Sequence, residues 1–417
     1  MKLTRRELMA ASGAAALSAA TPRGKADACI FLWLGGGAAQ VDTFDPKVKG
    51  DGKKKSGSYY DSIETSARGV RVTEHLKRTA RVMDRVIPVR TCTHAISGEH
   101  AAAANLVHTG RLPSGNIIYP SIGSIVAHEL GAKTEEVPAY IVIGYPNIMR
   151  DPGFLGAKHG YVYLTQLETG PTGLIRPPDV DLAREDRRET LLAQVREQYT
   201  KRHPDDKVVQ QQADISRQGF KLAGPKFLNV FDLKREQAAT REAYGAGEFG
   251  QRCLLARRLV QSGVRFVEVS HNLNFLNGSG WDTHNEGQLK QHLLIQELDT
   301  AFAGLVEDLD KNKMLDSTLV VVATEFGRPG EFDSGGGRGH QSLGYTMVLA
   351  GGGLRTGQAV GVTDEIGGKV VERPVSIADF HATMHAALGI DPGKSLFAGE
   401  RPVPITDHGK PIAEVFS

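Results

Sequence analysis

The chain has few cysteines, almost no net charge and no long apolar run. Its 417 residues contain 3 cysteines, widely spaced at Cys29, Cys92 and Cys253, which argues against a disulfide framework or a cysteine zinc site. A formal charge of +2 offers no broad cationic surface to attract nucleic acid. No uninterrupted apolar stretch reaches the roughly 18 residues of a transmembrane helix. We therefore expect no nucleic-acid partner and no membrane span.

The first residues resemble an export signal. The basic start MKLTRR carries the pair Arg5 and Arg6, and a small-residue run over 9–20 ends in ALSAA, which suits signal-peptidase cleavage. Paired arginines before a weakly apolar stretch are typical of twin-arginine signals, and a disordered basic tail is the alternative. We predict a twin-arginine signal peptide and linker over 1–27, a single domain over 28–417, and export to the periplasm or cell surface.

Short apolar runs alternate with helical patterns in the rest of the chain. Runs typical of buried parallel strands occur at 29–34, 139–143, 264–269 and 318–323, with weaker strand candidates at 345–349 and 358–362. Apolar residues recur at helical intervals over 286–313, which predicts a helix leading into the strand at 318–323. This order predicts an α/β fold, with a mainly parallel sheet covered on both faces.

A strongly charged segment interrupts this alternation. Residues 176–241 contain few β-branched residues and many of both charge signs. We predict that this segment is a helical insertion. It is either a cap beside the functional site or a solvated helical pair.

Polar residues follow the carboxyl ends of the predicted strands, where ligands gather in such sheets. Asp42 follows the first strand and its glycine loop, and Asp282 with His284 follows the strand at 264–269. Glu325 follows the strand at 318–323, and His340 lies in the glycine-rich loop beyond it. Carboxylates with imidazoles are ligands of Zn or Mn, and Ca is also possible. The sequence therefore predicts a site for divalent metal ions.

Each of these residues also has an ordinary structural explanation. Asp42 could cap a helix, Glu325 could pair with Arg328, and His340 could be a plain loop histidine. It is their convergence at strand ends that favours a metal site.

Two further segments carry histidines. A helix is predicted to begin near Ser97, a candidate N-cap, with Glu99 or His100 in its first turn. His381 and His385 have the i, i+4 spacing of half a zincin motif, but the Glu between them is missing, which favours a core helix.

Several segments resemble one known family, the bacterial domain of unknown function 1501. They are GGGAAQVDTFDPK (35–47), VRVTEHL (70–76), HTGRLPS (108–114), GFLGAKH (153–159), GWDTHNEG (280–287), TEFGR (324–328), GRGH (337–340) and LAGGGLRTGQAVGVTD (349–364). This family resembles the alkaline phosphatase and sulfatase superfamily, whose members are α/β/α sandwiches with metal ions at the strand ends. The resemblance implies that Asp42, Asp282, His284, Glu325 and His340 are metal ligands.

The chain departs from the superfamily at two places. Glu325-Phe326 stands where Asp-His is usual, and His100 stands where sulfatases carry their nucleophile. The resemblance therefore makes His100 a candidate nucleophile or metal ligand, with Ser97 the nearest hydroxyl. Arg328, or Arg111 of the HTGRLP segment, would hold the anionic group of the substrate.

These observations predict an exported, metal-dependent hydrolase of phosphate or sulfate esters, acting on a small molecule or a polysaccharide. A non-catalytic metal- or glycan-binding protein of the same fold is the main alternative, and a mutase or transferase is a third.

Overall fold

The structure is a computed structural model, and it describes residues 23–167, 170–171, 179–222, 225–272, 276 and 278–416. The twin-arginine motif predicted near the amino terminus lies outside the described residues. The chain joins the folded body from residue 24 onwards, because the amides of Gly24 and Ala26 donate to the carbonyls of Ala386 and Ala387.

The described strands form one large sheet and three small hairpins. They are β1 (Ala28–Trp33), β2 (Ser62–Glu64), β3 (Arg71–Thr73), β4 (Val86–Thr93), β5 (Tyr140–Ile143), β6 (Val162–Leu164), β7 (Phe266–Ser270), β8 (Thr318–Ala323), β9 (Tyr345–Gly351), β10 (Val362–Thr363), β11 (Val370–Glu372), β12 (Val375–Ser376), β13 (Ser395–Ala398) and β14 (Arg401–Pro404). The large sheet has the order β12-β4-β9-β8-β1-β7-β5-β6. Only β9 runs antiparallel to its neighbours among these eight strands.

The α-helices of the described residues are α1 (His100–Thr109), α2 (Ile122–Leu130), α3 (Leu182–Arg202), α4 (Lys207–Leu222), α5 (Pro225–Leu228), α6 (Ala238–Ala243), α7 (Glu248–Ser262), α8 (Gln288–Lys311) and α9 (Ile377–Ala387). None of them combines the length and apolarity needed to cross a membrane.

Helices cover both faces of the sheet. Successive side chains of a strand point to opposite faces, so Ile30 and Leu32 of β1 pack into the core formed with α7 and α8. Cys29 and Phe31 pack into the second core, which contains residues of α1, α2 and α9. The molecule is thus an α/β/α sandwich with a mainly parallel sheet, as the sequence predicts.

The predicted strands are found with one exception. The four strong apolar runs become β1, β5, β7 and β8, which are adjacent in the middle of the sheet, and the weaker run at 345–349 becomes β9. The expectation for 358–362 is wrong. Val360 makes an isolated bridge to Val89, and β10 pairs only with β11 in a hairpin. The helix predicted over 286–313 is α8.

The charged segment contains α3 and α4, which pack against each other. Beyond α3, α4 contacts the short turn Ala157–His159 that precedes β6. This contact lies toward the amino end of β6, whereas the predicted site lies at carboxyl ends of strands.

Candidate metal centre

A glycine turn after β1 contacts Glu325, which follows the carboxyl end of β8. Gly36 and Gly37 have φ values of 119° and 86°, which favour glycine, and a Cβ at Gly37 would lie 2.8 Å from the Phe326 ring. The chain can therefore turn tightly over the end of β8. The Gly36 amide donates to Glu325 Oε1 over 2.8 Å, and Glu325 is only 1% exposed.

His100 is the first residue of α1 and points at two carboxylates. Glu99 caps the helix by accepting from the amides of Ala101 and Ala102. His100 Nδ1 lies 2.7 Å from Glu325 Oε1, and its Nε2 lies 3.5 Å from Asp282 Oδ2. Burial lowers the pKa of His100, but hydrogen bonds with Asp282 and Glu325 outweigh it and raise the pKa to about 9.

Asp282 follows β7 in a loop anchored by a buried tryptophan. Trp281 is fully buried, so the residue after it is fixed against the body of the protein. The Gly278 amide donates to Asp282 Oδ2 over 2.5 Å. Burial raises the pKa of Asp282, but hydrogen bonds with His100, His340 and Arg328 outweigh it and hold the pKa well below its usual range.

The glycine-rich loop brings His340 against the loop of Asp282. A Cβ at Gly337 would lie 2.4 Å from the backbone of His284, so only glycine allows the two loops to approach this closely. The Arg338 amide donates to the Thr283 carbonyl over 3.0 Å. The strand-end loops therefore converge as the sequence predicts.

Four side chains meet at this point. His340 Nε2 and His284 Nε2 lie 3.4 and 3.2 Å from Asp282 Oδ1, and the two imidazole nitrogens are 2.9 Å apart. One potential ligand atom each from His100, Asp282 and His340 lies within 4.8 Å of the others. Around a divalent ion with bonds of about 2.1 Å, tetrahedral ligand atoms are roughly 3.4 Å apart. The cluster therefore fits a single metal ion.

Glu325 lies behind this cluster. Its Oε1 accepts from Gly36 and contacts the Nδ1 of His100, while the Nε2 of the same ring is directed to Asp282. A carboxylate in this position fixes the tautomer and orientation of a metal-binding histidine. The contacts thus favour a positioning role for Glu325.

Arg328 is part of the framework of the site. It is fully buried, and its guanidinium donates to Asp282 Oδ1 over 2.5 Å and to the carbonyls of Gly36, Gly37 and Arg338. Because these acceptors occupy the guanidinium, the structure does not present it to a substrate anion. Its contacts instead hold the turn after β1, the Asp282 loop and the glycine-rich loop together.

Asp42 lies in a separate buried pair. Both of its oxygens accept from Arg338, Oδ2 from Nε over 2.9 Å and Oδ1 from Nη2 over 3.1 Å. The Tyr59 amide adds a bond of 2.7 Å to Oδ1. Both residues are fully buried, and the bidentate bonding to Arg338 uses both carboxylate oxygens of Asp42. The structure therefore does not bring Asp42 into the metal cluster.

Ser97 and Arg111 also lie apart from the cluster. Ser97 is exposed and is not the helix cap, because Glu99 takes that place. Arg111 follows the far end of α1, about 15 Å along the helix from His100. Its guanidinium bonds to the Pro404 carbonyl and lies 4.7 Å from the centre of the Tyr119 ring.

Two features beside the cluster were not predicted from the sequence. Asp333 Oδ2 lies 3.7 Å from His284 Nδ1, behind the ring, and its position seven residues before His340 in the same glycine-rich loop was the available signal. A cavity of about 280 Å³ also opens next to His100. Its lining includes Trp33, Asn105, Arg150 and Ser270, which no spacing in the sequence connects.

The chain is similar to several solved structures. Ps i-CgsB is 14% identical, with a TM-score of 0.40, over 89% of this chain and 72% of that one. The lipoteichoic acid synthase LtaP from Listeria monocytogenes is 9% identical, with a TM-score of 0.37, over 92% and 75%. The phosphonate monoester hydrolase of Agrobacterium radiobacter is 12% identical, with a TM-score of 0.39, over 93% and 78%. No conclusion about the reaction of this chain follows from similarities of this size.

No curated protein matches the chain in sequence. One family model does match, and it covers residues 26–416, which is nearly all of the described body. The chain therefore belongs to the family described as protein of unknown function DUF1501.

Proposed function

We propose that the protein is an exported, metal-dependent hydrolase of phosphate or sulfate esters. The observation that carries the proposal is the cluster of His100, Asp282 and His340 at the carboxyl ends of the strands, with one potential ligand atom of each residue within 4.8 Å of the others. The ester class rests on the sequence resemblance to the sulfatase and alkaline phosphatase superfamily. Export rests on the arginine pair near the amino terminus.

His100, Asp282 and His340 would hold a divalent ion such as Zn, Mn or Ca, with His284 beside them. Two imidazoles and one carboxylate are a donor set that favours Zn or Mn over Ca, because Ca prefers oxygen ligands. A bound ion of this kind supplies Lewis acidity toward the ester group.

The residues around the cluster prepare the site. Glu325 keeps the His100 proton on Nδ1, so that Nε2 is the nitrogen directed at the centre. Arg328 neutralises Asp282 in part and fixes the carboxylate in one orientation. The Phe326 ring packs against the rings of His100 and His340, with centroids 4.8 and 4.4 Å away, and excludes water from that side.

The cavity beside His100 would receive the rest of the substrate. It lies on the side of His100 that faces Asn105 and Trp33, and about 280 Å³ accommodates a group the size of a single ring. Arg150 also lines this cavity, and its guanidinium is bonded to Glu268 and Ser270. These bonds fix Arg150 as part of the cavity wall.

The test is the metal content and ester turnover of matched variants. We expect the protein, purified without chelator, to contain about one transition-metal ion per chain by elemental mass spectrometry. His340→Ala should lose both metal and turnover of a panel of phosphate and sulfate esters. The control His128→Ala changes a half-exposed histidine outside the cluster and should lose neither.

Two results would decide against parts of this proposal. Unchanged metal content in His340→Ala would overturn the ligand assignment. Bound metal without cleavage of any ester would instead favour the non-catalytic binding protein, in which case binding of an anionic glycan is the next measurement.

A further inference from the structure

A buried carboxylate lies next to the wall of the cavity beside His100. Glu268 of β7 is 1% exposed, and it accepts hydrogen bonds from Arg150 Nε over 2.7 Å and from the Tyr140 hydroxyl over 3.1 Å. His108 Nε2 lies 3.2 Å from the same carboxylate. Burial raises the pKa of Glu268, but the charges of Arg150 and His108 and their hydrogen bonds outweigh it and lower the pKa to about 2. Glu268 is therefore negatively charged at neutral pH.

The contacts of His108 make it a buried cation. The side chain is fully buried in α1, and its Nδ1 lies 2.8 Å from the Ala104 carbonyl while its Nε2 faces Glu268. A carbonyl and an ionised carboxylate only accept hydrogen bonds, so both ring nitrogens carry a proton.

Two cations therefore share one carboxylate next to the cavity wall. Neither Arg150 nor His108 makes an ion pair with a second carboxylate among the described residues. The three side chains together carry one positive charge in excess. A buried charge without a counter-charge is costly, so an anion that reaches this group is stabilised by it.

Arg150 and Ser270 present this charge to the cavity, because both of them line it. The Nη2 of Arg150 donates to Ser270 Oγ over 3.0 Å, and its Nη1 donates to the Tyr145 carbonyl over 3.2 Å. Each of these nitrogens carries two N–H groups. Within the part of the chain that the structure describes, the second N–H of Nη1 and the hydroxyl proton of Ser270 have no acceptor. Asn105 and Asn272 add two side-chain amides to the same lining.

The rest of the lining places these donors beside the metal centre but apart from it. His100 lines the cavity and also belongs to the metal cluster, whereas Asp282 and His340 are not in the lining. Glu325 is the one carboxylate of the described lining, and its Oε1 is bonded to the Gly36 amide and to His100. An anion in this cavity therefore lies next to an ester at the metal centre without taking its place.

We propose that the cavity binds a second anionic group of the substrate, separate from the ester group, with Arg150 and Ser270 as its donors. The substrate is then an ester whose organic part is about one ring in size and carries a further carboxylate, sulfate or phosphate. The role in substrate choice rests on the proposed hydrolase function, whereas the binding of an anion in the cavity does not require turnover.

Calorimetric titration with benzoate and with its neutral isostere benzamide tests the anion site without any reaction. We expect benzoate to bind at least about tenfold more tightly than benzamide, because the donors of the cavity are charged or adjoin a charge. The preference should be equal in the unaltered chain and in His340→Ala, since it does not depend on a bound metal ion.

Variants of Arg150 assign the preference to the excess charge. Arg150→Gln should abolish it, and this variant leaves His108 and Glu268 as a balanced pair. Arg150→Lys keeps the charge and should retain a preference for benzoate. The control Arg265→Gln changes a half-buried arginine that precedes the opposite end of β7, and it should bind both probes as the unaltered chain does.

Matched esters test the role in substrate choice. The probes are phenyl phosphate and phenyl sulfate that carry either a carboxylate or a carboxamide on the ring. We expect a kcat/KM at least about tenfold higher for the carboxylates, with the difference in KM, because the second anion contributes to binding and not to the reaction. Arg150→Gln should remove this preference.

Three results would overturn the proposal. They are equal binding of benzoate and benzamide, a preference for benzoate that Arg150→Gln leaves intact, and a preference that disappears in His340→Ala. An equal loss of turnover of carboxylate and carboxamide esters in Arg150→Gln would also overturn it, since Arg150 would then hold the reacting group.

Failure of the hydrolase function looks different. No ester would be cleaved, while the preference for benzoate would still depend on Arg150. Circular dichroism checks the folding of each variant. Should Arg150→Gln not fold, Ser270→Ala changes no charge and should lower the preference for benzoate by about threefold, and an unchanged preference there would count against the site.

Discussion

Two aspartates illustrate how the same residue type takes different roles at neighbouring strand ends. Asp42 accepts two bonds from Arg338, and both residues are fully buried. Asp282 contacts Arg328, but it also faces three imidazoles. Removing one partner of a buried ion pair leaves an uncompensated charge, so the two residues should differ sharply when they are replaced.

We therefore predict that Asp42→Ala lowers the free energy of unfolding by about 3–5 kcal/mol without changing the metal content of the folded protein. Denaturant unfolding and elemental mass spectrometry of the same preparation measure the two quantities. Where Asp42→Ala does not accumulate, Asp42→Asn keeps the shape and provides the milder comparison. Loss of metal with unchanged stability would instead show that Asp42 is a metal ligand, as the sequence resemblance implies.

Sequence patterns identified which loops form the site but could not pair the side chains within them. Asp42, Asp282, His340 and Glu325 all follow strands as predicted, since the strand order follows from apolar runs and right-handed crossovers. The partner of Asp42 is Arg338, 296 residues away, and periodicity carries no information on such a contact. For this reason the sequence could not show which of these residues bind a metal ion, which form a buried ion pair and which position another side chain.

Element by element, the central strands β1, β5, β7 and β8 were predictable and β4 was not. β1, β5, β7 and β8 are continuous apolar runs because both their faces are buried. β4 is interrupted by Pro88 and Arg90 and carries Thr91 and Thr93, so it has no such run, although it pairs with β9 and β12. The sequence of β9 also does not show that this strand runs antiparallel to both of its neighbours.

The helix α9 makes a pH-dependent contribution to stability. Burial lowers the pKa of His381 to about 4 and that of His385 to about 3, with the His381 charge adding to the second shift. Both pKa values are below 6.5, the ordinary pKa of a histidine in an unfolded chain. Between the folded and the unfolded pKa, the unfolded state therefore binds more protons than the folded state. The contribution of the two neutral histidines to stability is therefore fully present above pH 6.5. It is lost as the pH falls toward their pKa values in the folded protein.

We predict that the free energy of unfolding decreases by about 1.4 kcal/mol for each pH unit and each of these two histidines below pH 6. His385→Leu should remove one of the two contributions, because neither ring nitrogen of His385 has a hydrogen-bond partner among the described residues. Urea unfolding between pH 7 and about 4.5 measures the slope. His203→Leu, at the exposed histidine that follows α3, is the surface control, and an equal change of slope in that variant would contradict the assignment.

At the scale of the whole molecule, the proposed metal centre joins parts of the chain that are far apart in sequence. His100 begins α1, Asp282 follows β7, and His340 lies 58 residues beyond Asp282. None of these elements is next to another along the chain. A binding site formed by all of them would exist only in the folded state. The binding free energy of the ion would therefore add to the free energy of unfolding.

This linkage gives a prediction that does not require a known substrate. At a free metal concentration of about one hundred times the dissociation constant, binding should add about 2.7 kcal/mol to the free energy of unfolding, and the midpoint of thermal unfolding should rise with it. Chelator should lower the midpoint and added Zn or Mn should restore it. In His340→Ala the midpoint should be insensitive to both treatments, while in His128→Ala it should respond as in the unaltered chain. A midpoint of the unaltered chain that no divalent ion shifts would contradict the metal centre, because a ligand that binds only the folded state must stabilise it.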